Sequence, residues 1–245
     1  MNPLGRRIPE DWTHVEKYPL RLASITPVVN KVLRLPSFHK DWDQGSEGAC
    51  VGFGTSMMLS IINESEARTA ATLPYTHRYD PWWLWDEAKK IDEWADTNPG
   101  DSNGTSVRAA CDVLRSQGHV RVIRGANKPA SLQEGISENR WATTTDEIRT
   151  CIGRGVAVSI GVNWYSAFDN PEFYNNSWWI ARTGSLGTVR GGHCVCVYGA
   201  SDSRQAFRVK NSWGGSYPLV WMPYTVMGRL LNEYGEATLV TDRLG

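Results

Sequence analysis

Four side chains that could carry out acyl transfer occur in a suggestive order: Gln44, Cys50, His193 and Asn211. A thiolate can attack a carbonyl, an imidazole can shuttle the proton, and a carboxamide can orient the imidazole. A second carboxamide can donate to the oxyanion that develops. Gln44 lies six residues before Cys50 in DQGSEGAC, while His193 sits in GGHC and Asn211 in KNSWGG.

The elements around these residues must bring them together. Gly45, Ser46 and Gly48 form a flexible loop, and a helical pattern begins at Cys50 with Phe53, Met57, Met58, Ile61 and Ile62. A cysteine at a helix start feels the positive end of the macrodipole, which favours thiolate, and a nearby imidazolium favours it further. Gly52 and Gly54 weaken this helix, so a closely approaching backbone is one reason for their presence. Residues 193–199 and 206–211 read as strands joined by the turn signal Ser201-Asp202-Ser203. A hairpin symmetric about Asp202 makes His193 and Asn211 direct cross-strand neighbours, with Cβ atoms about 5 Å apart. A one-residue slip would break that pairing.

The remaining chain reads as helices first and strands later. Residues 1–36 are irregular, with Pro3, Pro9, Pro19 and Pro27. Asp80-Pro81 is a helix start, and a helix from about Ser106 carries Val107, Ala110, Cys111 and Leu114 before stopping at Gly118. Thr144 to Glu147 forms a capping box. From Val156 onward VAVSIGV, HCVCVYG, AFRVKN and EATLV read as strands. This order predicts an α+β protein of two lobes.

Composition excludes several classes. In 245 residues, Lys+Arg and Asp+Glu are both 26, so no net charge draws the chain to nucleic acid or a membrane. The longest apolar stretch, Val156 to Val162, is far too short to span a bilayer, and MNPLGRRIPEDW has no apolar core of a secretory leader. Five cysteines without framework spacing fit a reducing compartment. The expected location is cytoplasmic, or virion-associated if the source is viral. Cys194-Val195-Cys196 lacks metal-ligand spacing and reads as buried packing, so no metal is expected. The tryptophans Trp82, Trp83, Trp85, Trp178 and Trp179 read as packing between the lobes, and the 96–101 stretch as a plain loop.

The strings DQGSEGAC, DSNGTSVRAACDVLRSQG, GGHCVCVYGA and FRVKNSWGG resemble the papain-like cysteine peptidases, the C1 family, from about Val32 to the C-terminus. The resemblance implies a two-lobed fold, with an N-terminal helical lobe (about 38–130), a C-terminal antiparallel β-barrel-like lobe (about 131–245), and a cleft between them. Residues 1–31 stand outside it as an N-terminal extension, too short for the family's usual inhibitory propeptide, so that either no zymogen exists or the segment is a short cap or docks onto an assembly. By resemblance Cys50 is the nucleophile, His193 the general acid/base, Asn211 the orienter and Gln44 the oxyanion donor. Asn103, Gly104 and Thr105 match the strip that binds extended peptide; Gly192 and Trp213 are expected at the substrate site with them, and Trp213 shields the His193–Asn211 bond.

The signature departs from the family at Glu47, where a disulfide cysteine is usual, and at Val51, where an aromatic is usual. These departures point to a disulfide-free, bacterial or viral branch. The expected activity is hydrolysis of protein or peptide substrates through a thioester acyl-enzyme, without a cofactor. Acyl transfer to an amine by the same residues, or an inactive binding module, are the alternatives.

Overall fold

The computed structural model describes residues 4–9, 11–20, 28–69, 78–94, 104–123, 126–127 and 134–242. An extended stretch from Leu4 leads into a one-turn helix α1 (Thr13–Lys17) and a short strand β1 (Asn30–Val32). The long helix α2 (Cys50–Thr69) begins at the expected residue, and Phe53, Met57, Met58, Ile61 and Ile62 are all buried. Fully burying a side chain of this size contributes about 1.5–3 kcal/mol, so packing rather than propensity holds a helix containing two glycines. After β2 (Arg78–Tyr79), helix α3 (Pro81–Ile91) is capped by Asp80, whose carboxylate accepts the N–H groups of Trp82 and Trp83. Helix α4 (Val107–Ser116) is capped by the Ser106 hydroxyl, and its face of Val107, Ala110, Cys111 and Leu114 is buried. Strands β3 (Arg121–Ile123) and β4 (Ala126–Asn127) complete a small sheet with β2.

The second half is mainly strand. It runs β5 (Ile136–Ala142), α5 (Thr145–Arg154), β6 (Val158–Tyr165), β7 (Glu172–Tyr174), β8 (Ser177–Trp179), β9 (Val189–Ser201), β10 (Ala206–Lys210), β11 (Val220–Pro223), α6 (Tyr224–Asn232) and β12 (Glu236–Asp242). Helix α5 has the expected reciprocal box between Thr144 and Glu147 and ends at Gly155 in the left-handed conformation (φ 94°). The strands form one nine-stranded sheet in the order β5-β12-β6-β9-β10-β11-β8-β7, with β1 added alongside β9. Pairing is antiparallel except between β11 and β8, and the sheet is open rather than closed into a barrel. Among the described residues no helix is long and apolar enough to cross a membrane.

Two features bring α2 hard against this sheet and against α3. A Cβ on Gly54 would lie 2.7 Å from Cys194 Sγ on β9, and one on Gly52 would lie 2.2 Å from the Pro81 carbonyl oxygen. Both glycines therefore exist for close approach, which sets Cys50 beside the strand carrying His193.

The β9–β10 register departs from the expected symmetric hairpin. The turn occupies Asp202 to Gln205, with Gln205 in the left-handed region (φ 51°), so Ala206 pairs with Ser201 and Arg208 with Gly199. Carried onward, that register would set Asn211 opposite Cys196, on the other face of the sheet from His193. A bulge intervenes: Val209 pairs with Val197, leaving Tyr198 as an extra residue on β9. Lys210 then pairs with Cys196, which places the next residue, Asn211, beyond β10 on the face shared by Val195 and His193. The two catalytic candidates are diagonal neighbours, not directly opposed ones.

Candidate active site

Asn211 Oδ1 and His193 Nε2 are 2.8 Å apart, and both residues are buried. The carboxamide oxygen can only accept, so Nε2 carries the proton and Nδ1 is the imidazole's free basic nitrogen. Nδ1 is buried and makes no hydrogen bond among the described residues. Two indoles clamp the ring: Trp164 meets it edge-on with centroids 4.6 Å apart, and Trp213 lies tilted over it at 4.9 Å. Trp213 thus covers the His193 ring. Trp164, from β6, was not singled out in the sequence, although its alternation within Val158–Tyr165 pointed it inward.

Gln44 ties the two walls of the site together. Its backbone N–H donates to the Ser212 carbonyl at 2.9 Å, and its side-chain oxygen accepts from the Ser212 hydroxyl at 2.6 Å. Its Nε2 donates one hydrogen to the Glu47 carbonyl at 2.7 Å, leaving a second N–H. Ser212 was not foreseen; it anchors Gln44 from the residue after Asn211.

Cys50 stands at the first position of α2, fully buried, with the backbone N–H groups of Cys194, Gly5 and Val51 nearby. Those donors and the nearby Arg6 charge favour thiolate, yet burial outweighs them and pushes the thiol up to about 12. Burial likewise pulls His193 down to about 4, against the raising effect of its bond to Asn211. In this form burial therefore disfavours the charged state of both groups. Cys194 and Cys196 are also buried, with thiols held in the protonated form by desolvation, as suits packing residues.

Over Cys50 the burial is completed by residues near the start of the chain. Residues Leu4–Arg7 pass through the cleft as an extended strand. Gly5 and Arg6 both donate backbone N–H groups to the Gly192 carbonyl, at 3.1 and 3.0 Å. On the other wall, Thr105 donates to the Gly5 carbonyl and accepts from Arg7, both at 2.9 Å, as a parallel bridge. The approach is so close that a Cβ on Gly104 would lie 1.4 Å from Gly5 O, and one on Gly192 2.0 Å from Arg6 O. Gly5 itself rests on Gly48, whose carbonyl oxygen lies 1.9 Å from where a Gly5 Cβ would stand. Gly104, Thr105 and Gly192 thus form a two-sided slot for peptide backbone. Asn103 falls outside the described residues, as does the 96–101 loop.

The Gly5 carbonyl is committed to Thr105 and the Gly5 N–H to the Gly192 carbonyl. Beyond Trp213 the cleft is open, as a cavity of ≈ 510 Å³ lined by Trp178, Tyr217 and Asp169 among others. On β8, Trp178 lines this open end and Trp179 is buried against Trp221, so neither packs between lobes.

The helices on one wall, the sheet on the other and the cleft between them define the papain-like cysteine protease fold. Xylellain, a cysteine protease from Xylella fastidiosa, matches with a TM-score of 0.69 and 19% identity over 98% of this chain and 96% of that one. Procathepsin L2 from the larval midgut of Tenebrio molitor gives 0.65 and 17%, over 98% and 78%. A Carica candamarcensis cysteine protease in complex with E-64 gives 0.55 and 15%, over 82% and 92%. Neither a protein-family model nor a curated protein matches the sequence.

Proposed function

We propose that the protein is a cysteine peptidase that uses Cys50, His193, Asn211 and Gln44, and that Leu4–Arg7 must leave the cleft before a substrate enters. The observation that carries this reading is the peptide backbone already seated between Thr105 and Gly192 against the Cys50 thiol. With the segment displaced, water reaches Cys50 and His193, and the desolvation that disfavours their charged forms is relieved. The Cys50 proton then passes to His193 Nδ1, and the sulfur attacks the substrate carbonyl carbon. The resulting oxyanion takes hydrogen bonds from the free Gln44 N–H and the Cys50 backbone N–H. As the intermediate collapses, the C–N bond breaks and the leaving amine takes the proton from His193. Water, deprotonated by His193, attacks the thioester, releases the acid and restores the thiol. Asn211 holds the ring so that Nδ1 faces the sulfur throughout.

Labelling with E-64, the compound held by the Carica protease, tests this on the intact chain. One adduct at Cys50, its loss in Cys50→Ala, and hydrolysis of a peptide library are expected. If neither the natural chain nor an Arg6→Ala variant with a loosened segment labels at Cys50 or cleaves any peptide, the reading is wrong.

A further inference from the structure

On the Thr105 side of the catalytic pair the cleft is closed by the chain itself. Arg6 anchors the N-terminal segment in a closed pocket, where its Nε and Nη2 both donate to the buried Glu236 Oε2, at 3.2 and 3.1 Å. On the Trp213 side the cleft runs out through the ≈ 510 Å³ cavity to the hairpin of β7 and β8, the last two strands in the sheet order. Asn175 and Asn176 at the tip are both left-handed (φ 47° and 56°), the two-residue turn whose twist matches that of paired strands, so the hairpin is tight.

Successive strand residues face opposite ways, and the two faces of this hairpin differ. On one face Arg182 stacks over Tyr174 at 4.0 Å and donates from Nε and Nη2 to Glu172 at 3.2 and 3.0 Å, while Trp179 is buried beside Trp221. The chain thus covers that face itself. On the other face the cross-strand pair Phe173 and Trp178 has ring centroids 5.1 Å apart, and the two side chains are 58% and 40% exposed. Trp178 lines the cavity together with Trp213, so the bare pair continues the cleft wall. A lone exposed apolar side chain needs no explanation, but two in contact on a preformed turn at a cleft mouth make a contact surface.

We infer that Phe173 and Trp178 form a docking surface for the polypeptide on the amine side of the scissile bond, and that the enzyme favours long chains with an aromatic side chain there over short peptides. The inference rests on the peptidase reading above. The Thr105–Gly192 slot takes the acyl part of the substrate and His193 gives its proton to the leaving amine, so the amine-bearing chain departs past Trp213 into the open cavity. An aromatic side chain on that chain can meet the exposed pair edge-on or offset, whereas serine gains little from an apolar face. Two partly exposed rings offer far less than the roughly 800 Å² that each side of a stable protein interface buries. The surface therefore suits one strand of substrate better than a second copy of this chain.

The test uses fluorogenic peptides with a common acyl side. The leaving side is either a two-residue amide or a six-residue extension of serine and glycine in which one phenylalanine is moved from position to position. They are assayed on the full natural chain, on Phe173→Ser and on Phe173→Trp. The ratio of kcat/KM values between two peptides is independent of the fraction of molecules that are open, so the N-terminal segment does not blur the comparison. On the natural chain the best-placed phenylalanine should exceed the plain serine–glycine extension by about fivefold to a hundredfold, mainly through KM, the range of two aromatic contacts. Phe173→Ser should shrink that ratio by about twofold to tenfold and leave cleavage of the two-residue amide unchanged, while Phe173→Trp should retain it. If peptides are cleaved but no placement of phenylalanine gives an advantage, or the advantage survives in Phe173→Ser, the docking inference falls while the peptidase reading stands. A natural chain that sediments as a dimer, and as a monomer once Phe173 is serine, would give this face to a second copy and overturn the inference. If no peptide in a random library is cleaved by the natural chain or by Arg6→Ala, the peptidase reading itself falls and takes the docking inference with it.

Discussion

The cleft has two halves built from similar materials and left in different states. One half, from Gly48 and Cys50 to Gly104, Thr105 and Gly192, is filled by Leu4–Arg7 and excludes water. The other, around Trp178, Tyr217 and Asp169, is an open cavity, and Trp178 remains 40% exposed. His193 and Trp213 lie at the boundary. The difference teaches that access governs this site: Cys50 has a helix start with the N–H groups of Cys194 and Val51 nearby, and a four-residue strand opposes their effect by desolvation.

The most damaging change to the filled half is Cys50→Ala. It should leave the fold intact and lower peptide hydrolysis on the order of 10⁴-fold or more, measured as kcat under saturating peptide. Asn211→Ala should follow, with a fall of about 10²-fold in kcat and a smaller change in KM, because the imidazole loses its fixed orientation. Loosening the plug acts in the opposite direction. Arg6→Ala removes the paired bonds to Glu236 and should speed iodoacetamide alkylation of Cys50 by roughly tenfold to a hundredfold. Cys194, sealed by the fold itself, should stay unmodified as the internal reference; equal labelling of both thiols would mean that global opening, not the strand, controls access. In the open half, Trp178→Ala should raise KM by only about two- to tenfold, as expected for one aromatic contact.

Titration sharpens the same contrast. His193 is depressed from 6.5 to about 4 by burial, so the closed form is stabilised above pH 6.5 and loses that contribution as pH falls toward 4. His119, stacked on Tyr79 and bonded to Ser56, is depressed to about 3 in the same way but lies away from the plug. Thermal melts between pH 7 and 4 should therefore show a shallower decline in Arg6→Ala than in the natural chain, with the His119 contribution common to both. Cys50 has the reverse sign: its raised value withdraws stability from the closed form as pH climbs from 9 to about 12.

What could be read from the sequence was mostly local. Asp80 with Pro81, the Thr144–Glu147 box and the helix start at Cys50 each declare themselves within a few residues, and each is found. Strand β5 was missed because ISENRWA has no regular alternation, and α6 because Pro223 supplies no side-chain cap. The candidate catalytic residues were legible as types in order, but the closed pocket was not. Arg6 and Glu236 lie 230 residues apart, and nothing near either announces the other. The occupant of the slot was invisible for the same reason: a polar, proline-rich opening has no periodicity to betray where it will bind.

The Tyr198 bulge carries a consequence for how this chain can change length. Between His193 and Asn211, one inserted or deleted residue in the paired segments would exchange the faces of the sheet and turn the carboxamide away from the imidazole. Growth at the exposed turn around Ser203 and Arg204 changes no pairing, so the loop can lengthen freely while the strands cannot. The gene is thus held to an arithmetic of odd and even on one side of the turn and released from it on the other.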